Sequence, residues 1–343
     1  VPTTLKTTTM MSDNDRLNLL LDLRRYADAE KAAREAIGRN PNWASAYTHL
    51  ARALMGQNKK DAIDAAREGV RKAPNDAWAM GTLACALNWF GQYKEALEPA
   101  EQAVKLDPRY AWAYAMLANV LYNLNRFKEA RTKALEGLGF DPLNESLFRW
   151  KGWAEHKMGE QPEALRTAEE GLKHHPNSHL ILNLIGCIKW TQAEKTWGRK
   201  RLRFHREADT IIRESIRLDP TQQAYHDNLR GNAVSCRLAI VTPLMVALCL
   251  VLCVIPVTLL ALTVVHDIHA GTGGVAMVFS LVIVLAVGAF ATSNQCALHF
   301  SLDRFRVPTV PLTARERLLA RLELCGYGVL MLVPYIVLLF ALR

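Results

Sequence analysis

Six prolines divide the first two-thirds of this chain into near-equal lengths. Pro41, Pro74, Pro108, Pro142, Pro176 and Pro220 follow one another at steps of 33, 34, 34, 34 and 44 residues. Other residue types keep the same phase. Nine residues after the first three prolines stand Leu50, Leu83 and Leu117, each followed by alanine at Ala51, Ala84 and Ala118. Twelve residues before each proline stands Ala29, Ala62, Ala96, Ala130, Ala164 or Ala208, and an aromatic precedes three of these by three residues at Tyr26, Tyr93 and Phe127. A unit of this length holds two helices. Small residues mark where the two cross closely, and a proline at the end of the second stops it and turns the chain. One such pair cannot bury its apolar face, so the pairs must stack.

The stretch "DPRYAWAYAMLANVLYNLNRFKEARTKALEGLGFDP" (Asp107–Pro142) contains the whole unit and resembles the tetratricopeptide repeat, with Leu-Ala, then aromatic-x-x-Ala, then Pro. The resemblance covers residues 12–236. It implies an all-α fold, a superhelical solenoid of six repeats at 12–43, 44–76, 77–110, 111–144, 145–178 and 179–222, and then a single helix at about 223–236. The second repeat is one residue short. The fifth carries Lys151 where Leu is expected and Glu155 where a large apolar residue is usual.

The remainder of the chain has a different composition. Residues 1–236 hold 35 Lys/Arg and 29 Asp/Glu, whereas residues 237–343 hold 7 and 4 and are mostly Leu, Val and Ala. Three apolar stretches lie in this second part. Leu238–Val265 is 28 residues without a charge, Val275–Ala291 is 17 and Leu324–Leu342 is 19. A helix needs about 20 apolar residues to cross a bilayer, so these read as transmembrane helices at about 238–265, 273–292 and 324–342. Pro243 and Pro256 imply a kink or tilt in the first. The loop between the first two has no Lys or Arg, while the next contains Arg304, Arg306, Arg315, Arg317 and Arg321. Positive-inside topology therefore puts the arginine-rich loop and the repeats in the cytoplasm and the C-terminus outside.

The N-terminus has no apolar core of a secretory signal, and residues 1–11 read as disordered. The chain opens on Val1, with Met10 and Met11 downstream. A non-ATG start codon translated literally would account for the valine and suggests a bacterial gene and its inner membrane; a start at Met10 or Met11 is the alternative. The seven cysteines include no C-x-x-C pair, which favours free thiols over a disulfide framework.

No phosphate-binding glycine loop, zinc-protease motif or nucleophile elbow occurs, so the chain reads as a non-enzyme without cofactor. The stretch "HDIH" (His266–His269) lacks a fourth ligand and is not read as a metal site. The net charge of +9 is spread along the chain except for one short cluster, which does not make a nucleic-acid stripe.

Two candidate surfaces follow. In tetratricopeptide repeats, positions 2, 5, 9 and 12 of the first helix face the groove. Carried onto this sequence, these include Arg52, Trp78, Asn88, Trp112, Asn119, Tyr122, Arg149, Trp153, His156, Asn183 and Trp190. Rings and amides of this kind suit an extended peptide or protein partner. The family's carboxylate clamp is not reproduced, because Ala115 accompanies Asn119 and Trp153 accompanies Arg149.

The second surface is the sixth repeat's insertion of ten residues, phased to the turn between its helices. It carries Trp197, Arg199, Lys200, Arg201, Arg203, Phe204 and Arg206. Stacking puts that turn at the edge where the chain runs on to Leu238, so these residues are expected to meet anionic headgroups of the inner leaflet. The expected function is a membrane-anchored interaction scaffold. The alternative is a subunit of an integral membrane complex whose transmembrane helices carry the specific role.

Overall fold

The structure is a computed structural model, and it describes residues 12–236. Residues 1–11, the three apolar stretches and His266–His269 lie outside the described residues. Every described element is a helix. Among the described residues no helix is long and apolar enough to cross a membrane.

The helices come in pairs of a first and a second helix. These are α1 (Asp13–Asp22) with α2 (Tyr26–Arg39), α3 (Ala44–Gly56) with α4 (Ala62–Lys72), and α5 (Ala77–Trp89) with α6 (Tyr93–Leu106). They continue as α7 (Ala111–Asn123) with α8 (Phe127–Phe140), α9 (Glu145–Lys157) with α10 (Gln161–His174), and α11 (His179–Glu194) with α12 (Gly198–Leu218). A last helix, α13, occupies 223–236. Two compact units divide within α11, between Leu184 and Ile185.

In the first unit the same two turns recur. Between the helices of a pair the chain passes through a left-handed residue: Arg24, Asn58, Gly91, Asn125 and Gly159 have φ of 56° to 84°. The next backbone N–H then reaches back to the carbonyl five residues earlier, as Lys59 to Leu54, Gln92 to Leu87 and Arg126 to Leu121, each at 2.9 Å. This satisfies a carbonyl at the helix end and fixes the reversal. Gly and Asn suit the conformation; Arg24 adopts it against the steric preference of its Cβ. Between pairs the turn is built on the periodic proline. The N–H three residues after the helix-ending residue returns to its carbonyl, as Trp43 to Asn40 at 3.1 Å and Tyr110 to Asp107 at 3.1 Å. Proline at the second position of such a turn has the required φ already. Tyr47 and Tyr114 donate from their hydroxyls to the carbonyls of Pro41 and Pro108, both at 3.1 Å.

Packing follows the small residues. The five periodic alanines of this unit, Ala29 to Ala164, are completely buried. Glycines let the second helix approach the first helix of its own pair and that of the next. A Cβ on Gly137 would lie 2.8 Å from Leu147 Cδ2 and 2.8 Å from Tyr114 Cβ, and one on Gly171 would lie 2.8 Å from Phe148 Cβ. Successive first helices touch one another directly, α1 with α3, α3 with α5, α5 with α7 and α7 with α9, whereas second helices make no comparable contact with each other. The stack therefore curls with the first helices on its inner side.

The two unusual residues of the fifth repeat satisfy each other. Lys151 Nζ lies 3.0 Å from Glu155 Oε1, and Thr167 Oγ1 of α10 donates to Glu155 Oε2 at 2.7 Å. Glu155 is buried, so this paired and hydrogen-bonded arrangement replaces a hydrophobic contact without leaving a lone charge.

α11, within which the units divide, has 16 residues and α12 has 21, against 13 and 14 in α7 and α8. The ten extra residues thus lengthen both helices at the end where they join. Trp190 packs on Gly231, where a Cβ would lie 2.4 Å from its ring. Buried His205 and Asn232 join α12 to α13, with ring Nδ1 2.8 Å from the amide oxygen and the amide nitrogen donating to His205 O at 2.9 Å.

Filling the α8 gap should be costly. Gly137→Val is expected to lower stability by about 1–3 kcal/mol, because the new atoms overlap Tyr114 and Leu147. Gly139→Ala, on the same helix with nothing within 4 Å, should instead raise it by about 0.5–1 kcal/mol. Unfolding midpoints followed by circular dichroism would distinguish the two; equal midpoints would contradict this account of helix approach.

Candidate functional site

The inner layer of the first unit carries partly exposed polar and aromatic side chains from α3, α5, α7 and α9. Each helix contributes a small residue at the contact with its neighbour and larger ones beside it. On α3, Arg52 is half-buried and its Nη1 lies 3.4 Å from Asn18 Oδ1 on α1. On α5, Trp78 meets the ring of His49 edge-on at 4.8 Å. On α7, Trp112 lies over Gly81 of α5, where a Cβ would come within 2.3 Å of the ring, and Tyr110 flanks it at 5.6 Å. The absence of a side chain at Gly81 gives Trp112 its seat.

Two clusters form. The first is an amide chain across α5 and α7. The Asn123 amino group donates to Asn88 Oδ1 at 2.9 Å and to Asn119 Oδ1 at 3.2 Å. The oxygens of Asn88 and Asn119 are thereby engaged, and their amino groups have no protein partner among the described residues. The second cluster is aromatic. Tyr122 packs with Trp150 at 5.4 Å, Phe127 at 5.5 Å and Trp153 at 6.3 Å, and Trp153 meets His156 at 5.6 Å. The Arg149 guanidinium lies 4.2 Å from the Trp150 ring centre. His156 Nδ1 is 2.8 Å from Gln161 Oε1, which fixes that ring.

Other residues lie apart from these clusters. Asn183 is buried in the first unit. Trp190 belongs to the second unit, and its Nε1 is buried without a partner among the described residues. Of the basic stretch, Trp197, Arg199, Lys200, Arg203 and Arg206 are exposed, while Arg201 and Phe204 are half-buried. Sequence spacing did not point to Asn123, Trp150 or His49. Asn123 follows Asn119 by one helical turn, and that i,i+4 spacing of amides is the signal that could have found it.

Chemically, the layer offers amide donors and aromatic rings, and among the described residues no three of His, Cys, Asp and Glu are placed to hold a metal ion. Cys85, beside Arg52 on this layer, is a free thiol whose pKa is pushed up to about 11 by burial, so it is not a nucleophile at neutral pH.

The comparisons with known proteins agree with the architecture. Two family models, both described as tetratricopeptide repeat, match residues 14–77 and 90–133. Over those residues the chain matches tetratricopeptide repeats. In fold it is similar to the Cut9–Hcn1 hetero-tetramer of the APC/C, with a TM-score of 0.53 at 16% identity over 64% of this chain and 42% of that one. A thermophilic repeat protein of Thermus thermophilus gives 0.49 at 17% identity over 55% of this chain and 98% of its own. No curated protein matches the chain in sequence.

His49, behind Trp78, gives this layer a pH response. Its Nε2 lies 2.8 Å from Asn14 Oδ1, and its pKa is pushed down from 6.5 to about 4 by burial first and the Arg52 charge second. The unfolded chain therefore binds this proton at higher pH than the folded chain. The stability contribution is intact above pH 6.5 and is lost as pH falls toward about 4. Wild type should lose on the order of 3 kcal/mol more than His49→Gln across that window. Denaturant unfolding of both proteins between these limits would show it; parallel curves would contradict it.

Proposed function

We propose that this chain is a membrane-anchored interaction scaffold whose repeat solenoid binds an extended peptide or protein segment on its inner layer. The observation that carries the reading is the Asn88–Asn123–Asn119 amide chain, on the same layer of first helices as Trp112 and the Tyr122–Trp153 pair. An extended peptide has backbone carbonyls at regular intervals and side chains on alternate faces. The amino group of half-buried Asn119 suits its carbonyls, with buried Asn88 holding the amide chain in place, and the rings supply apolar contact at low entropic cost. Anchoring rests on the three apolar stretches after Arg237, and the arginines between the second and third favour a cytoplasmic side for the repeats. The solenoid then holds its partner at the membrane and needs no chemistry of its own.

Peptide display against the full chain in detergent tests this. Enriched peptides should bind wild type and lose on the order of thirtyfold in affinity in Trp153→Ala, as expected for truncating an aromatic anchor. Asn119→Ala should weaken the same peptides, while Leu135→Ala, exposed on α8, should not. Affinity unchanged in both inner-layer variants would overturn the reading.

A further inference from the structure

The N-terminal end of α12 is basic where most of the described helices are acidic. A helix N-terminus carries partial positive charge and favours acidic residues. Seven other helices, α1, α2, α4, α6, α8, α9 and α10, have Asp or Glu in the first turn. The first turn of α12 has none, as in α3, α5, α7 and α11, and it carries Arg199, Lys200 and Arg201 instead. Between Glu194 and Glu207 there are six Lys or Arg and no carboxylate. Arg203 pairs with Glu207 at 2.9 Å, but Arg199 and Lys200 have no ion-pair partner among the described residues. Trp197 is 81% exposed, the most exposed large apolar side chain described, and the Arg201 guanidinium lies 5.9 Å from its ring centre. An exposed ring beside a run of cations without carboxylates suits an anionic partner.

The position of this end within the second unit identifies that partner. α12 and α13 are joined by the short segment 219–222 and run antiparallel, with His205 level with Asn232. Helical rise puts Arg201 about 6 Å beyond His205, and Cys236 about 6 Å beyond Asn232 in the same direction. Arg201 is then about level with Cys236, the last described residue. Ser235 Oγ, which donates to Glu194 Oε1 at 3.1 Å, brings the end of α11 to the same level. In sequence the uncharged stretch of 28 residues begins at Leu238. The basic, tryptophan-bearing turn thus stands at the level of the last described residue, two residues before that stretch in sequence.

We infer that this turn is a docking surface for an anionic lipid bilayer, with Trp197 at headgroup depth and Arg199, Lys200, Arg203 and Arg206 against lipid phosphates. It rests on the anchoring proposed above and adds to it a second contact that fixes the orientation of the second unit. Each cation at such a surface favours docking by about fivefold, an effect that salt screens.

The test uses the full chain reconstituted into phosphatidylcholine vesicles with and without phosphatidylglycerol. Lipids brominated near the headgroup quench nearby indoles, and subtraction of Trp197→Phe isolates this ring among the eight tryptophans. Trp197 should be quenched in anionic vesicles, spared in neutral ones, and released by high salt or by the combined change Arg199→Gln, Lys200→Gln, Arg203→Gln and Arg206→Gln. Equal emission in the two lipids, or quenching that survives the combined change, would overturn the proposal while leaving anchoring intact. Release of the chain from vesicles by an alkaline carbonate wash would overturn both.

Discussion

The close approach of helices at residues with little or no side chain is the contact on which the rest of this architecture depends. Ala62, Ala96, Ala130 and Ala164 have no exposed surface, and Gly137 and Gly171 admit the side chains of the following pair to within 3 Å of where a Cβ would stand. A larger residue at any of these positions would separate the helices and tilt the following pair. The proline turns and the left-handed turns set the length of each arm, but the small residues decide how the arms lie on one another.

Because first helices touch first helices, their inner sides form one continuous layer. This is how a repeat with a purely structural period can present a binding surface: residues one repeat apart become neighbours, as Asn88 and Asn123 do. The rings on that layer divide their roles. Trp112 is seated on Gly81 and Trp78 against His49, so each is part packing and part surface. Such anchoring keeps a ring in one rotamer, which lowers the entropy lost when a ligand covers it.

The helices of this fold were legible in the sequence because proline, alanine and leucine each mark the same phase. The ten-residue insertion was legible too, as a break in that phase, although spacing alone could not divide it into three residues on α11 and seven on α12. The polar contacts were not legible. Lys151 and Glu155 read as departures from a pattern until Thr167, from another helix, is seen to complete them. His49 lies on the buried side of α3 and takes its partner from Asn14, 35 residues earlier, and periodicity carries no information about such a bond. Trp190 has the spacing of an inner-layer residue, and only the position of Gly231 shows that its ring is packed against α13.

A solenoid whose inner layer holds a partner at a membrane should show that partner on one side only. The most direct measurement is photocrosslinking in native membranes, with benzoylphenylalanine in place of Trp112 or Trp153 on the inner layer, or of Leu135 on α8. The account predicts a common adduct from the first two positions and none from Leu135. An adduct from Leu135 alone, or equally from all three, would contradict it.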